Sequence, residues 1–201
     1  MENFLDRRIL RTKRNLKMAL LELLKEKTLN ELSVTEVTKY AKCNRVTFYS
    51  HYKDLEDLLY QIFKEYLDEL IQHLRKNYQA LEIFKSDNLE LITPIFEFVG
   101  HHQFVFTLML TGEILPGSQN LFCEQLVEIF GSELSLKDNV KIDILAMNYY
   151  STYATLGLFM YWIRNDCIES PESMAKKLAY LQSKIFNQAE VRKHDNPKIE
   201  K

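Results

Sequence analysis

An all-α fold is expected, and three observations carry the expectation. The 201-residue chain holds only five Gly and four Pro, so little of it can be turn or loop. Apolar residues recur at i, i+3, i+4 spacing over most of its length, the period of an amphipathic helix. No stretch shows the apolar–polar alternation of a convincing strand. A hydrophobic content of 46% supplies a core, and 27% charged residues supply a solvated surface.

The first helix is expected over 7–26, with Ile9, Leu10, Leu16, Ala19, Leu20, Leu23 and Leu24 on its apolar side. Its opening turns carry Arg7, Arg8, Arg11, Lys13 and Arg14, where the helix dipole favours acids; a bound anion would reverse that small cost. Ser33 and Glu36 then make an S-x-x-E capping box for a short helix over 34–41, with Val37, Tyr40 and Ala41 inward. Lys42 and Cys43 break it, the cysteine as a small apolar plug. Asn44 is a good N-cap for a second short helix over 45–52. Two short helices joined by a tight turn, behind a longer first helix, make a helix-turn-helix layout, whose second helix would read the major groove. Asp54 caps a long helix over 55–79, in which Leu55, Leu58, Leu59, Ile62, Phe63, Tyr66, Leu67, Leu70, Ile71 and Leu74 share a face.

Asp87 and Glu90 are expected to open the next helix, which Pro94 would kink or restart. Residues 101–110 form a further apolar helix, TGEILPGSQ is a loop, and 119–131 are helical. Ser135 with Asp138 would cap a helix running to about Asn165. Ser170 followed by Pro171 opens a last helix to about Ala189. The expected organisation is therefore a helix-turn-helix unit over 1–53, a helical body over 54–190, and a polar, disordered tail over 191–201.

Charge divides along the same line. Residues 1–53 carry 12 Lys/Arg against 6 Asp/Glu, a net of +6; residues 54–201 carry 14 against 22, a net of −8. A basic unit on an acidic body suggests a polyanionic partner for the unit. The N-terminus has no apolar stretch after its charges, so no secretory signal is expected, and no apolar run reaches membrane-spanning length. Cys43, Cys123 and Cys167 stand far apart and form no CxxC pair, which points to a reducing, cytoplasmic compartment. No cofactor or metal site is expected: there is no Gly-rich phosphate loop, HExxH or nucleophile elbow, and His101 and His102 would diverge by about 100° on a helix. A carboxylate pair such as Glu97 and Glu113 lacks partner groups for catalysis, so an enzyme is not expected.

The segments RRILRTKRNLKMALLELL and LSVTEVTKYAKCNRVTFYSHYKDLEDLL resemble the TetR/AcrR family of bacterial transcriptional regulators over residues 8–60. The segment YATLGLFMYWIRNDCIESPESMAKKL resembles the last two helices of a Firmicutes-type branch of that family. The resemblance implies DNA contacts. Ser33 would touch phosphate and Thr35 a base or the backbone. Arg45, Val46 and Thr47 would read bases, while Tyr49, His51 and Lys53 would hold phosphates. Phe48 and Tyr52 match positions that pack inward. The chain departs from the pattern at Lys42, where the family often has Gly, and at Leu55, where it commonly has a phosphate-contacting Lys.

For the body, the resemblance implies an effector pocket with Phe98, His102, Phe106, Met109, Tyr149 and Tyr153 as lining residues, suited to an apolar or aromatic ligand with a few hydrogen-bonding groups. It also implies a dimer in which Ser151, Ala154, Gly157 and Tyr161 meet a second copy. The expected function is a homodimeric repressor that releases a palindromic double-stranded operator when a small molecule binds. The alternative is a co-activator of the same family that has lost DNA binding.

Overall fold

The computed structural model describes residues 2–78, 83–85, 88–136, 143–183 and 188–191. Helix α1 (Glu2–Leu23) starts before the expected boundary, since nothing in its first residues breaks a helix. After a 3-10 turn (Leu29–Glu31) come α2 (Val34–Tyr40), α3 (Arg45–Tyr49) and the long α4 (Leu55–Tyr78). Leu16, Ala19 and Leu20 of α1, Val37 of α2, Phe48 of α3, and Leu58, Leu59 and Phe63 of α4 are buried in one continuous core. Asp54 caps α4 as expected, accepting from the Asp57 N–H at 2.8 Å, while Asp57 accepts from the Lys53 N–H at 2.9 Å.

The body comprises α5 (Leu89–His101), α6 (Gln103–Thr111), α7 (Ser118–Glu133), α8 (Ile144–Arg164) and α9 (Pro171–Ser183). Three boundaries differ from expectation. Asn88 caps α5 through the Glu90 N–H, while Asp87 lies outside the described residues. Helix α5 continues through Pro94, its sixth residue, without restarting and ends at His101, with His102 as its C-cap. Asp143, not Ser135, caps α8; Ser135 belongs to a strand, and Asp138 lies outside the described residues. Ser170 caps α9 as expected, accepting from the Ser173 N–H. Between α6 and α7, Gly112 (φ 68°) ends α6 in the left-handed region, and the buried Ser118 hydroxyl returns to the Met109 carbonyl at 2.6 Å.

Three short strands, β1 (Ile83–Lys85), β2 (Leu134–Leu136) and β3 (Gln188–Val191), form an antiparallel sheet in the order β1-β3-β2. Three or four residues are too few to show alternation in a sequence, which is why no strand was expected. Helix α9 closes at Ser183 rather than near Ala189, and Val191 ends β3 at the position where a disordered tail was expected to begin. The rest of that tail, 192–201, lies outside the described residues.

The body core is aromatic. Phe96 meets Phe159 at 4.7 Å and Trp162 at 5.4 Å between ring centroids. Trp162 is buried and donates its indole N–H to the Glu169 carbonyl at 2.9 Å, satisfying its one polar atom. The ring lies directly over Gly100, where an added Cβ would stand 2.9 Å from Trp162 Cη2. Gly100→Ala should therefore destabilise the protein by about 1–3 kcal/mol in chemical denaturation, because overpacking against a rigid ring outweighs the better helix propensity of Ala.

Candidate functional site

The helix-turn-helix is built by local hydrogen bonds. The Ser33 hydroxyl accepts from the Glu36 N–H at 3.2 Å, and the Glu36 carboxylate accepts from the Ser33 N–H at 3.0 Å. Lys27 adds an ion pair to Glu36 at 2.9 Å, tying the loop before α2 to its first turn. Lys27 and Ser33 together hold the Glu36 carboxyl down at about 2. The Asn44 side chain accepts from both the Thr47 N–H and the Thr47 hydroxyl, each at 2.7 Å. Thr47 thus has its polar atom engaged and its methyl left for apolar contact. Lys42, in the turn, adopts φ 54°, the left-handed conformation that explains the frequent glycine there.

Helix α3 separates its two faces cleanly. Phe48 is fully buried and Tyr52 nearly so, as expected. Burial pushes the Tyr52 hydroxyl up to about 12, with Glu65 and Asp57 adding to the shift. On the other side Val46 is 79% exposed and Tyr49 51%, large apolar surfaces that an isolated protein has no reason to display. Arg45 is exposed, with its guanidinium 5.8 Å from the Tyr49 ring centroid. Tyr49 in turn stands edge-on to Phe48 at 5.4 Å. A buried ring therefore orients a tyrosine, which steers an arginine. Thr35 and Lys53 are exposed and His51 is half-buried. Ser33 is exposed as well, but its hydroxyl and N–H are both committed to Glu36. Leu55 is buried: it serves the core at the start of α4, which accounts for the missing lysine. Tyr40 corrects the expectation that it packs inward, since it is 56% exposed at the end of α2; period alone does not say whether i+3 or i+4 from Val37 faces the core.

In the body, the six expected pocket residues do not come together. Phe98, His102 and Phe106 form one cluster, with ring centroids 4.6 Å (Phe98–His102) and 6.0 Å (Phe98–Phe106) apart. Tyr66 and His73 of α4 join it, Tyr66 at 4.9 Å from His102 and His73 at 5.1 Å from Phe98; neither was expected there. Burial lowers the His102 imidazole below its ordinary value, against the pull of Glu69 and with help from His101 and His73. Met109 is buried. Tyr149 and Tyr153 are exposed and stack on each other at 6.3 Å, one helical turn apart on α8.

Residues 86–184 match the TetR-type transcriptional regulator C-terminal region. The chain is also 22% identical over 172 residues to the HTH-type transcriptional regulator YxbF of Bacillus subtilis (strain 168), across 83% of this chain. Its C-terminal region is that of a TetR-family regulator. The chain spans 43% of the length of that curated relative. Its fold is that of a TetR-family regulator from Syntrophomonas wolfei str. Goettingen (TM-score 0.68, 14% identity, covering 87% of this chain and 94% of that one). It is likewise the fold of FadR from Thermus thermophilus, a TetR-family repressor in complex with lauroyl-CoA (TM-score 0.58, 17% identity, 92% and 98%). TetR-family proteins are DNA-binding transcriptional regulators, not enzymes, and Glu97 and Glu113 are exposed on separate elements, α5 and the loop after α6.

The chain also carries an exposed aromatic face on its last two described helices. Tyr150, Ala154, Gly157 and Tyr161 are exposed along one stripe of α8, and a Cβ added at Gly157 would meet nothing within 4 Å. Ser151, beside that stripe, is half-buried. Helix α9 extends the face with exposed Tyr180 and Leu181, and Lys177 lies 5.8 Å from the Tyr161 ring centroid. Tyr150, Tyr180 and Leu181 were not expected on this face; the spacing of small residues marks the stripe but not the large residues that border it.

The capping box makes a pH prediction. Glu36 titrates lower in the folded state than in the unfolded one, so its stabilisation is complete above about pH 4.5 and is lost as pH falls toward 2. In acid titrations followed by circular dichroism, Glu36→Ala should lower stability at neutral pH and flatten the loss between those limits.

Proposed function

We propose that the protein is a cytoplasmic, homodimeric, ligand-responsive repressor that binds a palindromic operator through α3. The observation that carries this reading is the solvent-facing set of Arg45, Val46 and Tyr49 on a helix locked from behind by buried Phe48. An exposed arginine can make two parallel bonds to a guanine edge, while Val46 and the Thr47 methyl suit a thymine methyl. Tyr49, His51, Lys53 and the first turn of α2, with Thr35, would hold the backbone. One five-residue helix reads too few base pairs for specificity, so two copies facing a palindrome are required. The α8–α9 face supplies the means of pairing, with small residues for close approach and tyrosines around them. A small molecule in the body would shift the dimer toward a state in which the two α3 helices are wrongly spaced. Neither feature that hinted at a co-activator favours it: Leu55 has a core role, and Lys42 adopts the backbone conformation the turn requires.

Two measurements test the reading. Fluorescence anisotropy with the DNA upstream of the gene should show affinity falling steeply with salt, by about 10³–10⁵ between 50 and 200 mM if six to ten phosphates are contacted. Arg45→Ala should cost about 1–3 kcal/mol on specific DNA and much less on random sequence. Salt-independent binding would reject the proposal. In the second, Gly157→Arg should leave the melting temperature of the protomer fold unchanged, because the position is open, yet give a monomer in analytical ultracentrifugation and weaken operator binding. A dimer that survives the substitution would place the interface elsewhere.

A further inference from the structure

The first turn of α3 fixes one of its own side chains. Asn44 Oδ1 accepts from the Thr47 N–H, the ordinary bond of an N-cap, and from the Thr47 hydroxyl as well, each at 2.7 Å. The first bond serves the helix. The second adds nothing to the backbone, and its effect falls on the side chain. Threonine in a helix commonly turns its hydroxyl to a carbonyl three or four residues back. Thr12, Thr38, Thr107, Thr111 and Thr155 all donate to the carbonyl four residues back. Thr47 donates to the Asn44 side chain instead.

That bond decides what Thr47 can offer a base. A hydroxyl has one hydrogen to give. With it committed to Asn44, Thr47 cannot donate to the O4 of thymine or the O6 of guanine. Its oxygen can still accept, and the amino groups of adenine and cytosine are the donors on the major-groove edge. The neighbouring residue disfavours them. Val46 is 79% exposed and has no polar side-chain atom, so an amino group brought against it would lose water and gain no partner. Thymine suits both residues, because its C5-methyl group is apolar and stands on the same edge. Thr47 meets it with a methyl group, and Val46 with two more.

We propose that Asn44 is a positioning residue for operator specificity: by holding the Thr47 hydroxyl it makes Thr47 a reader of the thymine methyl group. Each half-site then carries a thymine that is recognised by its methyl group and not by its hydrogen-bonding edge. Uracil keeps that edge and lacks the methyl, so deoxyuridine is rejected where thymidine is accepted. Asparagine is suited to the task. Aspartate would hold the hydroxyl equally well but set a carboxylate against the phosphates, and glycine would cap the helix nearly as well but free the hydroxyl. The inference rests on the reading of α3 as the recognition helix and adds the chemical group that one of its residues selects.

The test is fluorescence anisotropy with the DNA upstream of the gene, in which thymidines are replaced by deoxyuridine one symmetric pair at a time. At one pair the unaltered protein should bind the deoxyuridine duplex about fourfold more weakly per half-site, the transfer worth of one methyl group. Thr47→Ser removes the methyl and keeps the hydroxyl, and should abolish that penalty. Thr47→Val keeps a methyl and removes the hydroxyl, and should retain it. Asn44→Asp should retain it while binding both duplexes more weakly. Asn44→Gly should shrink it, because a freed hydroxyl can donate to the O4 that thymine and uracil share. The penalty compares two DNAs on one protein, so a variant's loss of stability cancels. With cytosine at that pair, C5-methylation should restore affinity by about the same factor. A penalty that survives Thr47→Ser at every thymine, vanishes in Thr47→Val, or is indifferent to Asn44→Gly overturns the inference. Salt-dependent binding with no deoxyuridine penalty at any thymine overturns it too and leaves the recognition-helix reading standing; salt-independent binding overturns both.

Discussion

A helix of five residues cannot hold itself together in water, and everything this protein can do with DNA depends on one that does not have to. Helix α3 exists because Phe48 is driven completely into the core formed by α1, α2 and α4, and because Asn44 satisfies its first turn. Burying such a ring stabilises by about 1.5–3 kcal/mol, comparable with the backbone cost of ordering one or two residues, and the cap adds to it. The exposed side inherits that rigidity at no further expense: Tyr49 leans on Phe48, and Arg45 lies near Tyr49.

Helix α4 belongs to both halves. Near its middle, Lys17 of α1 pairs with Glu65, fastening it to the head. One residue further on, Tyr66 meets His102, and a second contact joins His73 to Phe98, fastening it to α5 and α6. The start of α4 also shares a cleft with the loop after α6: Lys53, Asp54, Asp57 and Tyr60 on one side, Leu115, Pro116 and Gly117 on the other. Two physical connections therefore run from the body to the exit of the reading helix. A rearrangement of α6 or α7 would act on both, which is the mechanical requirement for coupling between an effector and an operator.

The head was legible in the sequence because its determinants are local. Ser33, Glu36, Asn44 and Asp54 act within three or four residues of themselves, and the inward fates of Phe48 and Tyr52 follow from helical period. The body was less so. Ser135 reads as a cap but pairs in a sheet whose partners lie more than fifty residues away, and Tyr149 and Tyr153 read as lining yet face solvent. Aromatic content alone does not say which side of α8 a tyrosine takes when that helix is apolar on nearly every side. Gln125, Asn148 and Thr152, each with a buried polar side-chain atom that has no partner among the described residues, were invisible for a different reason: an unmet hydrogen bond is a property of surroundings, and no residue type announces it.

Trp162, seated over Gly100 and between Phe96 and Glu169, is the sole tryptophan of the chain. The head has only tyrosines and phenylalanines. Intrinsic emission excited at the red edge of the absorption band therefore reports on the α5–α8–α9 junction and is blind to the reading head. The protein comes with an optical label on one of its two parts. Comparing that emission with far-ultraviolet dichroism, which counts helices in both, reveals whether head and body melt as a single cooperative unit or as two.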